Sequence, residues 1–424
     1  MEGGGDTRAA RPLRILMVAP TSFFADYGCH VRILEEVRAL QARGRRVIVC
    51  TYHNGSDVDD LTTFRSIDVP WLRRSEVGSS RHKIYLDAAL TIETLRRALA
   101  FRPDIIHGHL HEGALIGAFV GALLRTPVIF DYQGSLTEEM LDHTFIRPGG
   151  LRERFVRRLE RMIERLPAAI TPSGDAAVTY LLERGVPEER ITLIPDGIDT
   201  CRMRPPEDET TRRRVREHLG IPQDARVVVY LGLLAEYQGT SLLLDAANWL
   251  IQRNPDLYFV IAGYPGADGY KRDAIERGIA DRVLFPGRVP YSSAPELLSV
   301  GDVAVAPKLS RTESNGKILN YMALGLPVIA FDTPANRAIL GNLGQLVEPG
   351  DTQAFAEAIE QALCHPTRQS AELRARVVSE FSWERRVLEL EAVYARVLGH
   401  ELRPASQQVP APRAISGASV DDQR

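Results

Sequence analysis

Residues 226–262 read RVVVYLGLLAEYQGTSLLLDAANWLIQRNPDLYFVIA. A β-branched run over Arg226–Gly232 is followed by a loop, a helical pattern through Leu242–Ile251, and a second apolar run, Leu257–Ala262. Strands this uniformly apolar are buried on both faces, which a parallel sheet covered by helices provides. The same order opens the chain. Arg14–Ala19 (RILMVA) reads as a strand and Pro20–Tyr27 as a loop. Next comes a helix with Val31, Leu34, Val37 and Leu40 on one face, stopped by Gly44, and then the strand Arg46–Thr51 (RVIVCT). Further strands are expected at Asp104–His107, Pro127–Asp131 and Ala168–Thr171. Two such starts about one domain apart predict an α/β protein of two doubly wound, Rossmann-like domains.

The segment Asp196–Thr211, rich in Pro, Asp and Glu, is the expected hinge. It divides a first domain over 13–195 from a second over 196–380. Phe381–Leu398 is a long amphipathic helix, and the polar ends, 1–12 and 401–424, are expected to be disordered.

Composition narrows the function. In 424 residues, 52 basic and 55 acidic side chains leave a net charge of −3, without the basic excess of a nucleic-acid binder. The longest mainly apolar stretch, Ala114–Leu124, is too short to span a bilayer, and the polar N-terminus lacks the apolar middle of a signal peptide. Cys29, Cys50, Cys201 and Cys364 are scattered without metal or redox spacing, as expected of reduced thiols in a cytoplasmic protein.

In doubly wound sheets ligands bind where loops meet the carboxyl ends of strands. The most informative such place is Val303–Ala330, VAVAPKLSRTESNGKILNYMALGLPVIA. It parses as a strand, a loop from Lys308, a helix over about Gly316–Leu324, a stop at Gly325 and a further strand. Asn315 is a natural N-cap, Gly316 lets backbone amides face an anion, and Lys317 adds a full positive charge. Glu313 and Asn320, two turns apart, can face one ligand. A capped structural helix would carry the same signals.

Four places together resemble the retaining glycosyltransferases of family 4, which have the GT-B fold. They are PDGIDT (Pro195–Thr200), YLGLLAEYQGTSLLLDAA (Tyr230–Ala247), ESNGKILNYMALGLPVIA, and the terminal FSWERRVLELEAVYARVL. The resemblance implies two domains facing across a cleft, with the terminal helix crossing back to the first. It implies transfer of a sugar from a nucleoside diphosphate donor held by the second domain to an acceptor on the first. The acceptor would be a glycan, a small molecule or a lipid-linked molecule. No cofactor and no metal are implied beyond that co-substrate, since cations and amides can stabilise the leaving diphosphate. The leaving phosphate can take the acceptor proton, so no dedicated base is required.

Carried over residue by residue, the donor site comprises Gly232, Gln238, Lys308, Glu313, Asn315, Gly316, Lys317 and Asn320. The catalytic, acceptor-side residues are His109, Asp131 and Gln133, and the acceptor loop holds Tyr27 and Gly28. Several positions depart from the pattern. Where the family clamps the diphosphate with Arg and Lys, this chain has Leu233 and Gln238. Each lost charge-assisted contact costs about 1.5–3 kcal/mol, so Lys308, Arg311, Lys317 or Arg288 must compensate, Lys317 first. The family's ribose-binding glutamate falls at Asn320, its histidine in the first domain at Gln133, and one of its two loop glycines is absent beside Gly28. These departures keep open a non-catalytic partner subunit or sugar-nucleotide binder as the alternative. In HGHLHEG, His107, His109 and His111 continue a strand or approach the acceptor.

Arg147–Pro167 (RPGGLRERFVRRLERMIERLP) carries seven arginines and three glutamates, with Leu151, Phe155, Leu159, Met162, Ile163 and Leu166 on one stripe. Such a helix either packs its stripe and solvates its basic face, or lies on anionic membrane.

Overall fold

A computed structural model describes residues 11–25, 28–68, 83–142, 145–309, 314–364 and 370–402. The opening run forms strand β1 (Arg14–Ala19), and the Val31–Leu40 pattern forms helix α1 (Gly28–Ala42). There follow β2 (Arg46–Thr51), β3 (Thr63–Arg65), α2 (Lys83–Phe101), β4 (Ile105–His109) and α3 (Leu110–Leu124). The first half ends with β5 (Val128–Tyr132), α4 (Leu136–Asp142), α5 (Leu151–Ile163), β6 (Ala169–Pro172) and α6 (Asp175–Glu183). Its six strands lie parallel in the order β3-β2-β1-β4-β5-β6.

The second half begins with α7 (Glu209–His218), β7 (Arg226–Leu233), α8 (Thr240–Ile251), β8 (Leu257–Tyr264) and α9 (Ala267–Glu276). It continues through β9 (Val283–Gly287), α10 (Ala294–Leu298), β10 (Val303–Ala306), α11 (Lys317–Ala323) and β11 (Val328–Phe331). Last come α12 (Pro334–Leu340), β12 (Gln345–Val347), α13 (Thr352–Cys364), α14 (Ser370–Glu380) and α15 (Trp383–Leu398). This sheet is ordered β12-β11-β10-β7-β8-β9 and is also parallel. Counted from its own first strand, it repeats the path of the first sheet.

Each sheet is covered on both faces, which is why its strands are continuously apolar. In the first half Ile15 and Met17 pack with Ile33, Leu390 and Tyr394 from α1 and α15, while Leu16 and Val18 pack with Leu90, Ile116 and Val120 from α2 and α3. Helix α15 thus crosses back to the first half, as the GT-B resemblance implies. Glu391 on it meets Arg43 at 2.6 Å and Arg45 at 2.7 Å. No helix among the described residues is long and apolar enough to cross a membrane.

Three expectations need correction. The Asp196–Thr211 segment is anchored at its start, where Ile198 is buried in the second core and bridges Ser382 and Gly197 lies against the Trp383 ring, while 204–210 is mostly exposed. Arg11, expected in a disordered tail, donates to Asp104 Oδ1 at 2.6 Å; residues 1–10 and 403–424 lie outside the described residues. Strand β4 runs two residues past the expected end, because its histidines find buried partners.

In both sheets the crossovers reverse direction beside the first strand, so the loops after β1 and β4, and after β7 and β10, part to leave a crevice.

Candidate functional site

The second crevice brings together residues far apart in the chain. Lys317, the first residue of α11, places its Nζ 2.7 Å from Gln238 Oε1 and 3.1 Å from the Tyr230 hydroxyl. The ammonium lies over the Tyr230 ring, 4.5 Å from its centroid. The Tyr230 hydroxyl in turn donates to the Leu233 carbonyl at 2.7 Å. Burial, and then Tyr321, hold the Tyr230 phenol well above the ordinary range, so it stays neutral beside the cation. Gly232 is required here by close approach: a Cβ would stand 2.8 Å from Lys317 Cε and 2.9 Å from Nζ.

The two loops of this crevice are stitched together. Gly239, at φ +77°, lies under the Pro307 carbonyl, which a Cβ would meet at 2.0 Å, and the Leu309 amide donates to the Tyr237 carbonyl at 2.9 Å. Lys308 is buried and donates to the Ser314 carbonyl at 2.7 Å, closing the base of the loop. Asn320 on α11 is half-buried. Glu313 and Arg311 lie outside the described residues.

Two donor-side expectations change. Asn315 is not the N-cap. Its Nδ2 donates to Asn336 Oδ1 at 2.9 Å, tying α11 to α12, and Gly316 takes the cap position without a side-chain bond. The amides of Ile318 and Leu319 are spent on the carbonyls of Asn315 and Gly316, so these two do not serve an anion. Lys317 brings a positive charge into this crevice, with Lys308 buried at the base of the same loop.

In the first half, Asp131 at the end of β5 is fully buried and receives five hydrogen bonds. Arg32 Nη2 donates to it at 2.7 Å, His109 Nδ1 lies at 2.9 Å, and Gln133 Nε2 donates at 2.7 Å. Desolvation pushes this carboxyl up, but the Arg32 charge and the His109 hydrogen bond outweigh it and hold Asp131 well below the usual carboxylate range. His109 and Asp131 are both fully buried, and Asp131 gathers the bonds of His109, Arg32 and Gln133. They anchor half-buried Gln133, which carries the network toward the loop after β5.

His107 is buried against the Tyr394 hydroxyl at 2.7 Å, and burial keeps it neutral. His111 packs edge-on to Phe130 and Tyr132. Gly28 starts α1 and is exposed, while Tyr27 lies outside the described residues.

The residue that sequence reasoning missed is Arg32. Besides Asp131 it holds Asp196 Oδ1 at 2.9 Å and the Ile194 carbonyl at 3.0 Å, and it lies 5.9 Å from the Trp383 ring centroid. Asp196 Oδ2 is within 3.8 Å of a Cβ position at Gly316, so Arg32 reaches toward the donor loop through one carboxylate. One turn along α1, Glu35 accepts from the Asp199 amide at 3.2 Å and from the Tyr291 hydroxyl of the second half. Burial pushes its carboxyl up to about 8. Tyr264 donates to the Ala25 carbonyl, joining the loop after β8 to the loop after β1.

Comparisons with known proteins bear on the family and the fold. Residues 225–365 match the family described as glycosyl transferases group 1, and residues 27–197 match the glycosyl transferase 4-like domain. The chain is 28% identical to D-inositol 3-phosphate glycosyltransferase of Geodermatophilus obscurus, over 92% of this chain and 88% of that protein. It is 26% identical to 2-deoxystreptamine glucosyltransferase of Streptomyces kanamyceticus, over 88% and 99%. In fold it is similar to Anabaena HepE in complex with UDP-glucose, with a TM-score of 0.71, 17% identity and coverage of 90% and 99%. It is also similar to sucrose-phosphate synthase of Thermosynechococcus elongatus, with a TM-score of 0.75, 20% identity and coverage of 91% and 99%.

Proposed function

The chain belongs to the family-4 glycosyltransferases of GT-B fold, and from that premise we propose a retaining hexosyl transfer from a nucleoside diphosphate sugar. The donor lies against the ends of β7 and β10, and the acceptor enters from the loops after β1 and β5. The observation that carries this reading is the Lys317 ammonium, held by Gln238 and Tyr230 over Gly232 at the switch point of the second sheet. A cation fixed there before substrate arrives stabilises the charge that grows on the leaving diphosphate. Gln238, at first sight a lost lysine, serves as the neutral holder of that one cation.

No dedicated base takes part. Asp131 and His109 are enclosed and act by positioning, so the acceptor proton passes to the departing phosphate on the same face of the sugar. Neither a resident cofactor nor a metal is invoked.

The test is a panel of nucleotide sugars, UDP-glucose included, assayed for release of the nucleoside diphosphate with and without candidate acceptors. An α-linked donor should yield an α-linked product by NMR. A β-linked product refutes retention, and failure of every nucleotide sugar to bind by calorimetry refutes the transferase. Leu233, in the place of a diphosphate-binding arginine, motivates the alternative of a non-catalytic binder. Tight binding without turnover in any acceptor screen would establish that alternative.

A further inference from the structure

The outer helical layer of the first domain shows an apolar face of unusual extent. Helix α3 has no Asp, Glu, Lys or Arg after Glu112 and is apolar nearly all round, the pattern of a buried helix. Yet Phe119 is 54% and Leu123 57% exposed. On α2, Tyr85, Ile92 and Leu99 stand seven residues apart in one exposed line. On α5, Leu151 is 82% and Phe155 67% exposed, with Met162 beside them.

The three helices are neighbours on one side of the sheet. Helices α2 and α3 share the core around Leu16 and Val18, while Ala114 of α3 and Ile163 of α5 share the core around Phe130. These eight large apolar side chains, each about half exposed or more, leave on the order of 700 Å² across the three helices, above the largest patch of an ordinary monomer.

The charges on this layer are of one sign. Every exposed ionised side chain of α2, α3 and α5, with the residue capping α3, is an arginine: Arg96, Arg125, Arg152, Arg154, Arg158 and Arg161. The acids of these helices are engaged within the protein, Asp87 with Tyr52, Glu93 with Arg97, Glu112 with Lys83, Glu153 with Arg157 and Glu160 with Ser135. The chain as a whole carries −3, so this segregation is local.

We propose that α2, α3 and α5 form a docking face for an anionic lipid bilayer. The apolar side chains enter the boundary between headgroups and acyl chains, and the arginines pair with lipid phosphates. Each arginine near such a surface raises partitioning roughly fivefold. A second copy of the chain fits less well, because an isologous contact would set arginines against arginines. The proposal does not depend on the transferase activity.

Cosedimentation of the full chain with vesicles of phosphatidylcholine containing about one-third phosphatidylglycerol tests it, against pure phosphatidylcholine and with molar mass measured by light scattering. Binding to the anionic vesicles is expected to exceed binding to neutral ones at least tenfold and to weaken in high salt. Phe119→Glu with Phe155→Glu, and separately Arg152→Glu with Arg158→Glu, should each reduce it more than tenfold, with unchanged melting temperature and unchanged nucleotide-sugar binding by calorimetry. Equal binding to neutral vesicles, absence of binding to anionic ones, or a dimer that Phe119→Glu converts to a monomer would overturn the proposal.

Discussion

Replacing Lys317 by methionine removes the ammonium while keeping an unbranched stem over the Tyr230 ring. The lost contact to a diphosphate oxygen is charge-assisted and worth about 1.5–3 kcal/mol, or roughly 10- to 150-fold in kcat/KM. The charge on the leaving group grows toward the transition state, so most of the loss should fall on kcat rather than KM. The folded state loses the bonds to Gln238 at 2.7 Å and to Tyr230 at 3.1 Å. Tyr230 keeps its bond to the Leu233 carbonyl, so stability should fall by only about 1 kcal/mol. The assay is steady-state release of nucleoside diphosphate from the preferred donor, with thermal melts of both proteins in parallel. Gln238→Ala provides the contrast, since it releases the ammonium without deleting it and should lose less. A Lys317→Met protein that melts normally and retains full kcat would refute the reasoning, because the charge stabilising the leaving group would then lie elsewhere.

Arg32→Met should destabilise the chain by about 3–5 kcal/mol in chemical denaturation, since it leaves Asp131 buried without its counter-charge; an unchanged midpoint would contradict the buried pair. Glu35 is held up to about 8 by burial against an ordinary value of 4.5, so the folded chain keeps a proton that the unfolded chain releases. Its contribution to stability is therefore full below about pH 4.5 and lost as pH rises toward 8, on the order of 4 kcal/mol; Glu35→Gln should flatten that slope in denaturation at a series of pH values, and a flat wild-type curve would exclude the effect. Gly232→Ala meets the flexible tip of Lys317 and, at 3.2 Å, the Tyr230 hydroxyl, so melting should shift little while kcat falls roughly tenfold as the ammonium is displaced; unchanged turnover would show that the close approach has no catalytic weight.

Much of the fold was legible because local pattern and tertiary environment coincide. β1 and β2 are as expected to the residue, since each is a nearly continuous buried run opened by an arginine. Strand β4 was read short because His107 and His109 look like a strand's end, whereas buried partners at Tyr394 and Asp131 let the strand continue. Lys317 was legible from the Asn-Gly-Lys preceding an apolar helix. The roles of Gln238 and Arg32 were not, because they depend on distant partners. Gln238 meets Lys317 across 79 residues, and Arg32 meets Asp131 across 99 and Asp196 across 164. Helix α5 was left open between two readings, its stripe packed inward or laid on a membrane. The structure leaves Leu151, Phe155 and Met162 exposed and buries Val156, Glu160 and Ile163. Glu160 turns inward because Ser135 and Thr137 bond its carboxylate at 2.8 and 2.5 Å, and a satisfied buried acid outweighs a hydrophobic stripe in setting the rotation.

On the proposed donor reading, Gln238 is suited to hold the Lys317 ammonium without neutralising it. A carboxylate at that position would hold Lys317 more firmly but cancel the charge that the diphosphate needs. A second lysine would add charge yet repel the first until substrate bound. The carboxamide and the Tyr230 phenol are both neutral acceptors, so they orient the ammonium and leave its charge uncompensated by them. The Tyr230 ring contributes in the same sense, because a cation over an aromatic face is attracted without being neutralised. Orientation in advance matters most where water is excluded, since a group that need not reorganise stabilises the transition state with its full field.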